Sequence, residues 1–350
     1  MKTYLLFLFL LPATLLFAQQ NYQYKNIALE GGGVRGLAYA GALEVLEQKN
    51  ILQNIEKVAG SSAGAIAGLM ISLGYNSVEI DSILQNLKIQ QFNDGKDIVG
   101  KIIRIKKEYG LFKGKKFEKW IGKLIEYKTG DSNSTFYDLH KKHLLDNTFK
   151  DFYCTGSNIS RQQLEIFSWE TWPQMQLKAA VHISSCIPFY FKPVAIDSIG
   201  NEVHAKKSLP KYDLYVDGGM LCNFPINMFD KCPDGRNPLT SENVQYNYET
   251  LGLKLEREKQ VQEFDENKTE IAPYQIKNMK EYTSAVMNLM MEKLSRNSAD
   301  LSNEKGRTIY ISYGEISGRP RKMSLQEKKI LHDNGFAAAT QFLNSPTAIY

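Results

Sequence analysis

Cysteine is scarce in this 350-residue sequence, and the four present (Cys154, Cys186, Cys222 and Cys232) form no Cys-x-x-Cys pair. That spacing speaks against zinc-finger and thioredoxin-type frameworks. One disulfide is conceivable if the chain is exported, with no pairing singled out. Histidine is as thin, five in all and scattered. His140 and His143 lie close together among lysines but lack the glutamate of a helical zinc motif, so they read as surface side chains and no metal is expected. Charge is not lopsided either. The 43 basic and 38 acidic side chains leave a formal +5, too mild to mark a nucleic-acid binder. There is no internal repeat, and past residue 18 no apolar run is long enough to span a bilayer.

What is present begins at the amino terminus. Lys2 is followed by an almost wholly apolar stretch from Tyr4 to Phe17, then Ala18 and a polar Gln19-Gln20-Asn21. Residues 1–18 read as a Sec-type signal peptide, with an uncleaved anchor as the alternative. The expected destination is the periplasm or the exterior, with outer-membrane association an option. Residues 19–350 then form one domain, with a helical cap-like region at 78–150 and a charged insert plus amphipathic helix at 256–300.

The organising stretch is Gly60-Ser61-Ser62-Ala63-Gly64. An apolar strand precedes it and a small-residue helix follows it, the context of a nucleophile elbow. A serine on so tight a turn stands clear of the sheet, and the amide ends of the next helix face the place where negative charge develops. Upstream, a strand over Lys25–Leu29 runs into Glu30-Gly31-Gly32-Gly33-Val34-Arg35-Gly36, and a helix follows to about Gln48. Two strands with intervening helices imply an α/β core. Gly31, Gly33 and Gly36 fit the dinucleotide fingerprint, but the second strand ends in the elbow and not in the acidic residue that holds a ribose, so no nucleotide is expected. The other reading is an oxyanion hole made by converging glycine amides, with Arg35 bracing the loop or meeting an anionic part of the substrate.

These two loops, followed by Asp217-Gly218-Gly219, resemble the ordered motifs of the patatin-like phospholipases, a family of lipid acyl hydrolases. The resemblance spans most of the chain after residue 18. It implies a three-layer α/β fold whose mostly parallel sheet is flanked by helices, with a basic helical cap. It also implies a Ser62–Asp217 dyad, an oxyanion loop at Gly31, Gly32 and Gly33, and support from Arg35 and Gly36. Pro188, Phe189 and Phe191, behind an alanine- and serine-rich helix, are the implied acyl pocket. No cofactor is expected. Acyl transfer or cleavage of neutral acylglycerols would use the same residues, and a lipid-binding protein without turnover is the alternative of another class. A Ser–Asp–His triad is the close enzymatic rival, and His332 is the one histidine after Asp217.

The expected partner is a lipid or membrane surface. From Lys96 to Lys128 eleven basic residues stand against four acidic ones, interleaved with apolar and aromatic side chains. Such a segment either covers the core with a cationic face or rests on an anionic bilayer. His182 is expected to be a structural or pocket-wall residue. Residues 256–270 read as a mobile charged insert, 278–294 as a methionine-rich amphipathic helix, and 325–343 as a surface helix on the core.

Overall fold

The structure, a computed structural model, describes residues 23–95, 98–203, 212–241, 243–265 and 304–345, with isolated positions between 276 and 289. The segment expected to be a signal peptide and most of the methionine-rich stretch lie outside the described residues. The sheet is laid down by β1 (Asn26–Leu29), β2 (Lys57–Gly60), β4 (Asp151–Asn158), β5 (Gln163–Phe167), β7 (Val194–Ile196), β8 (Asp213–Asp217), β9 (Thr250–Glu256) and β10 (Thr308–Ser312). Its order is β10-β9-β1-β2-β4-β8-β7, with β5 also paired to β4. β1, β2, β9, β10 and the first half of β4 run parallel, whereas β5 and β8 are antiparallel to β4, so the sheet is mixed. A separate ribbon joins β3 (Gly110–Phe112) to β6 (Phe189–Phe191).

Strand alternation divides the apolar side chains between the two faces. Ile27, Leu29, Val58 and Phe152 enter the main core, while Ala28, Ala59 and Tyr153 form a smaller cluster with Phe224 and Ile226. The main core is closed by α1 (Ala38–Gln48), α3 (Ala63–Ser72), α8 (Leu177–Ser184) and α10 (Leu325–Asn344). Between α3 and β4 lie α4 (Ser77–Asn86), α5 (Ile98–Glu108), α6 (Lys115–Thr129) and α7 (Phe136–Leu145); α2 (Ile51–Asn54) is a single turn. The stretch expected to be mostly helical is therefore interrupted by β3. α10 is less of a surface element than its polarity suggests, since Leu331, Ala339 and Leu343 are fully buried. Residues 258–265 form α9, so the start of the expected mobile insert is helical.

Some polar expectations change with packing. All four cysteines are free, and Cys154, Cys186 and Cys222 are buried. His140 is no surface histidine: its Nδ1 lies 2.8 Å from Asp151 and its ring stacks on Trp169 at 3.8 Å. His332 sits 3.4 Å from Glu44 of α1, in a set of surface ion pairs.

Candidate active site

The elbow is a steric necessity of β2 turning straight into α3. A Cβ on Gly60 would lie 2.3 Å from the Gly64 carbonyl oxygen, and one on Gly64 would lie 2.2 Å from that of Leu29. Both distances are far inside contact, so both positions require glycine. Ser62 between them takes φ +51° and ψ −118°, a conformation that costs a non-glycine residue about 1–3 kcal/mol. Sheet register then brings the acid to the serine. Gly60 pairs with Cys154, and two residues further along β4 Gly156 pairs with Asp217. Ser62, two residues past Gly60, therefore meets the end of β8. Its Oγ donates to Asp217 Oδ2 at 2.8 Å.

Both partners are buried, Ser62 to 8% exposure and Asp217 to 6%. Burial pushes the Asp217 carboxyl up to about 7, against the opposing pull of the Gly219 N–H on Oδ1 (2.8 Å) and of the Ser62 hydroxyl. A carboxylate raised this far is a much better proton acceptor than a free one. A hydroxyl network that sequence reasoning missed locks the pair in place. Ser61 Oγ bonds Thr155 Oγ1 at 2.6 Å and donates to the Cys222 carbonyl at 2.7 Å. Ser62 N–H donates to Ser184 Oγ, and Ser185 Oγ donates to the Ser62 carbonyl. The polar Ser184-Ser185 pair closing a small-residue helix was the visible signal.

The Gly-rich loop lies beside the serine but divides its labour differently from expectation. Gly31 N–H donates to the Asn223 carbonyl at 2.9 Å, so it is not free to receive an oxyanion. The amides of Gly32 and Gly33 have no protein acceptor among the described residues, and the same holds for Ala63 at the first turn of α3. The loop is rooted by buried Glu30, whose carboxylate accepts from Leu255 N–H and Asn223 Nδ2; burial pushes its pKa up to about 8. Gly33 has φ +58°. Arg35 turns away from the cleft: its Nε donates to the Ile316 carbonyl at 2.7 Å and its guanidinium lies 3.6 Å over the Tyr313 ring. Of its two expected roles, loop support is the one it occupies. Gly36 lets the loop sit against the elbow, because a Cβ there would come within 2.9 Å of the Ala63 Cβ.

Ser62 opens into a cleft that is partly open to solvent and mostly apolar. Phe191 lines it as expected, but Pro188 and Phe189 do not; Ile187 and Tyr190 take their place. The reason is local. Phe189 has φ +66°, which breaks strand alternation and throws its ring outward to 73% exposure. His182 is fully buried behind this wall, its ring against Phe117 and Phe191, and burial keeps it neutral. It converges with Glu118 and Glu202 as the one trio of metal-ligand type among the described residues. Lys115 Nζ already bridges the two carboxylates at 2.9 and 2.7 Å, so an ammonium supplies the cation there.

Serine elbow, glycine loop and partnered aspartate lie in the order the sequence motifs suggested, and the family profile of the patatin-like phospholipases matches residues 27–230. The chain belongs to the patatin-like phospholipase family. Among relatives, it is 28% identical to the uncharacterized protein R571 of Acanthamoeba polyphaga mimivirus, over 91% of this chain and 93% of that one. It is also 28% identical to the probable lipid hydrolase 463L of Invertebrate iridescent virus 6, over 65% of this chain and 70% of the relative. The crystal structure of VipD from Legionella pneumophila superposes with a TM-score of 0.62 at 17% identity, covering 92% of this chain and 67% of that one. That likeness extends the shared patatin-like architecture through the strands after residue 230.

Proposed function

We propose that this protein is a serine esterase that cleaves acyl chains from lipids, of the phospholipase A or lysophospholipase type. The observation that carries the reading is the 2.8 Å contact between the Ser62 hydroxyl and a buried Asp217 carboxylate. Family membership and the relative named a probable lipid hydrolase support it. Ser62 Oγ attacks the ester carbonyl and its proton passes to Asp217 Oδ2. The N–H groups of Gly32, Gly33 and Ala63 receive the oxyanion; a single such donor is worth roughly 3 kcal/mol in related sites. Collapse expels the alcohol, which takes the proton from Asp217. Water then attacks the acyl-enzyme, gives its proton to Asp217, and the free acid leaves as Ser62 is reprotonated. No step calls on a histidine, in keeping with His332 beside Glu44.

A fluorophosphonate probe tests the reading directly. It should label the wild type and not Ser62→Ala; equal labelling of both, or none of either, refutes it and leaves a lipid-binding role. Product analysis on phospholipids, lysophospholipids and acylglycerols then separates hydrolysis from acyl transfer.

The proposal includes action at an anionic membrane surface after export. In its support, Tyr109 and Phe189 are 58% and 73% exposed, and both have positive φ. They adjoin across the β3–β6 ribbon, where Gly110 pairs with Phe189. Exposed Lys106, Lys107 and Lys113 flank Tyr109 in sequence. An aromatic edge within a basic segment suits the headgroup region. Export predicts a mature amino terminus near Gln19, which protein sequencing of the extracytoplasmic fraction would read.

A further inference from the structure

The cleft has two unlike walls. One is hydrocarbon and aromatic, with Ile89, Phe92, Phe117, Tyr190 and Phe191. The other is built by the segment leading into α10 and by its first turns, which contribute Pro320, Arg321, Met323 and Lys328. Lys328 is the unusual member. It is 8% exposed, lines the same cleft as Ser62, and donates from Nζ to the Gln85 carbonyl at the end of α4. A helix end carries only about half a negative charge, and buried ammonium groups are ordinarily paired with a full one. Among the described residues no carboxylate acts on Lys328. Burial first, and then the like charge of Lys88, pull its pKa down. The other cation of the lining, Arg321, is already engaged by Glu327 at 2.6 Å, and Arg35 close by points to Ile316 and Tyr313.

We infer that Lys328 receives a negatively charged oxygen group of the lipid, while the acyl chain lies along the aromatic wall. The inference rests on the hydrolase reading and adds to it a specificity-determining residue, Lys328, which selects esters whose alcohol side carries a negative charge. The same chemistry has a second source, the carboxylate of the released fatty acid. In either case the anion supplies the counter-charge that the described residues withhold, so binding is favoured for charged over neutral lipids. An uncompensated cation in an apolar cleft attracts such a group more strongly than one in water would.

The test compares two substrates with the same acyl chain, a lysophosphatidylglycerol and a monoacylglycerol, presented in the same neutral detergent. The quantity read is the ratio of their kcat/KM values, with oleate inhibition measured in parallel. In Lys328→Met the ratio should fall about tenfold, mainly through KM, and Lys328→Arg should restore most of it. Lys88→Glu supplies a nearby negative charge from an exposed position outside the cleft lining, and should lower the ratio about threefold. That variant keeps the test decisive if Lys328→Met fails to fold. A ratio that holds while the oleate inhibition constant rises about tenfold assigns the same anion site to the product carboxylate. If neither quantity moves in the variants, the inference is overturned and Lys328 is only a strut to α4. A wild type that cleaves neither substrate and takes no label from the fluorophosphonate probe refutes the hydrolase reading instead.

Discussion

In the proposed dyad, Asp217 ties activity to a stability cost. Its folded pKa of about 7 lies above the value near 3.9 of an unfolded chain. Between those values the folded state binds the extra proton, so stability falls as pH rises from about 4 to 7. Asp217→Asn removes the buried charge while keeping the shape. At pH 8 the variant should gain stability, by up to about 4 kcal/mol. The gain should shrink toward zero at pH 4, and calorimetry at both values checks the sign. Its kcat should fall by about 10²–10⁴ with the loss of the base. Wild-type kcat/KM should rise with pH through a midpoint near 7, and a profile flat from pH 5 to 9 would exclude Asp217 as the base. At this scale much was legible. The spacing of Gly60 and Gly64 around Ser62 encodes the turn because only glycine clears the facing carbonyls. The binding of the Gly31 amide by Asn223 was not legible, because the two residues are far apart in the chain and meet only in the fold.

Among the elements, the β3–β6 ribbon is where pattern and structure part. Phe189 and Phe191 look equivalent at period two, yet a left-handed backbone at Phe189 sends one ring to solvent and leaves the other in the cleft. The ribbon's parallel pairing joins residues almost eighty positions apart, and no local propensity specifies it. If its aromatic edge enters a bilayer, Tyr109→Ser with Phe189→Ser should weaken binding to anionic vesicles about tenfold or more, roughly 1.4 kcal/mol of lost apolar burial. Sedimentation with phosphatidylglycerol vesicles measures this, and unchanged binding would place the membrane contact elsewhere. The elbow element responds differently. Gly64→Ala drives a methyl into the Leu29 carbonyl and should leave little soluble protein, with activity lost in what remains. By contrast α7 (Phe136–Leu145) and β5 (Gln163–Phe167) are short elements that apolar spacing and turn residues bound locally.

For the whole molecule, the segment matched by the family profile is not a complete folding unit. It stops at Asp230, but β9 pairs with β1 and β10 with β9, so two strands of the sheet come from beyond it. Arg307, just before β10, clamps Asp230 with two hydrogen bonds of 2.6 Å, both side chains almost fully buried. A chain ending at residue 236 would expose the β1 edge and leave that carboxylate unpaired. Expressed alone it should aggregate, as light scattering would show. In the full chain Arg307→Met should cost about 3–5 kcal/mol in denaturant unfolding, because it strands a buried charge. A loss below 1 kcal/mol would mean that water reaches Asp230.

The sequence by itself determined the α/β class, the serine turn, the glycine loop and the aspartate at a strand end. Each depends on local sterics or on a short periodicity. Only the tertiary structure decided that register lays Asp217 against Ser62, which glycine amides remain free, and which aromatic faces the cleft. It also decided that Lys328 lies buried beside a carbonyl with no carboxylate partner among the described residues. Those outcomes depend on contacts between residues tens to hundreds of positions apart, and their burial and pairing arise only when the sheet closes.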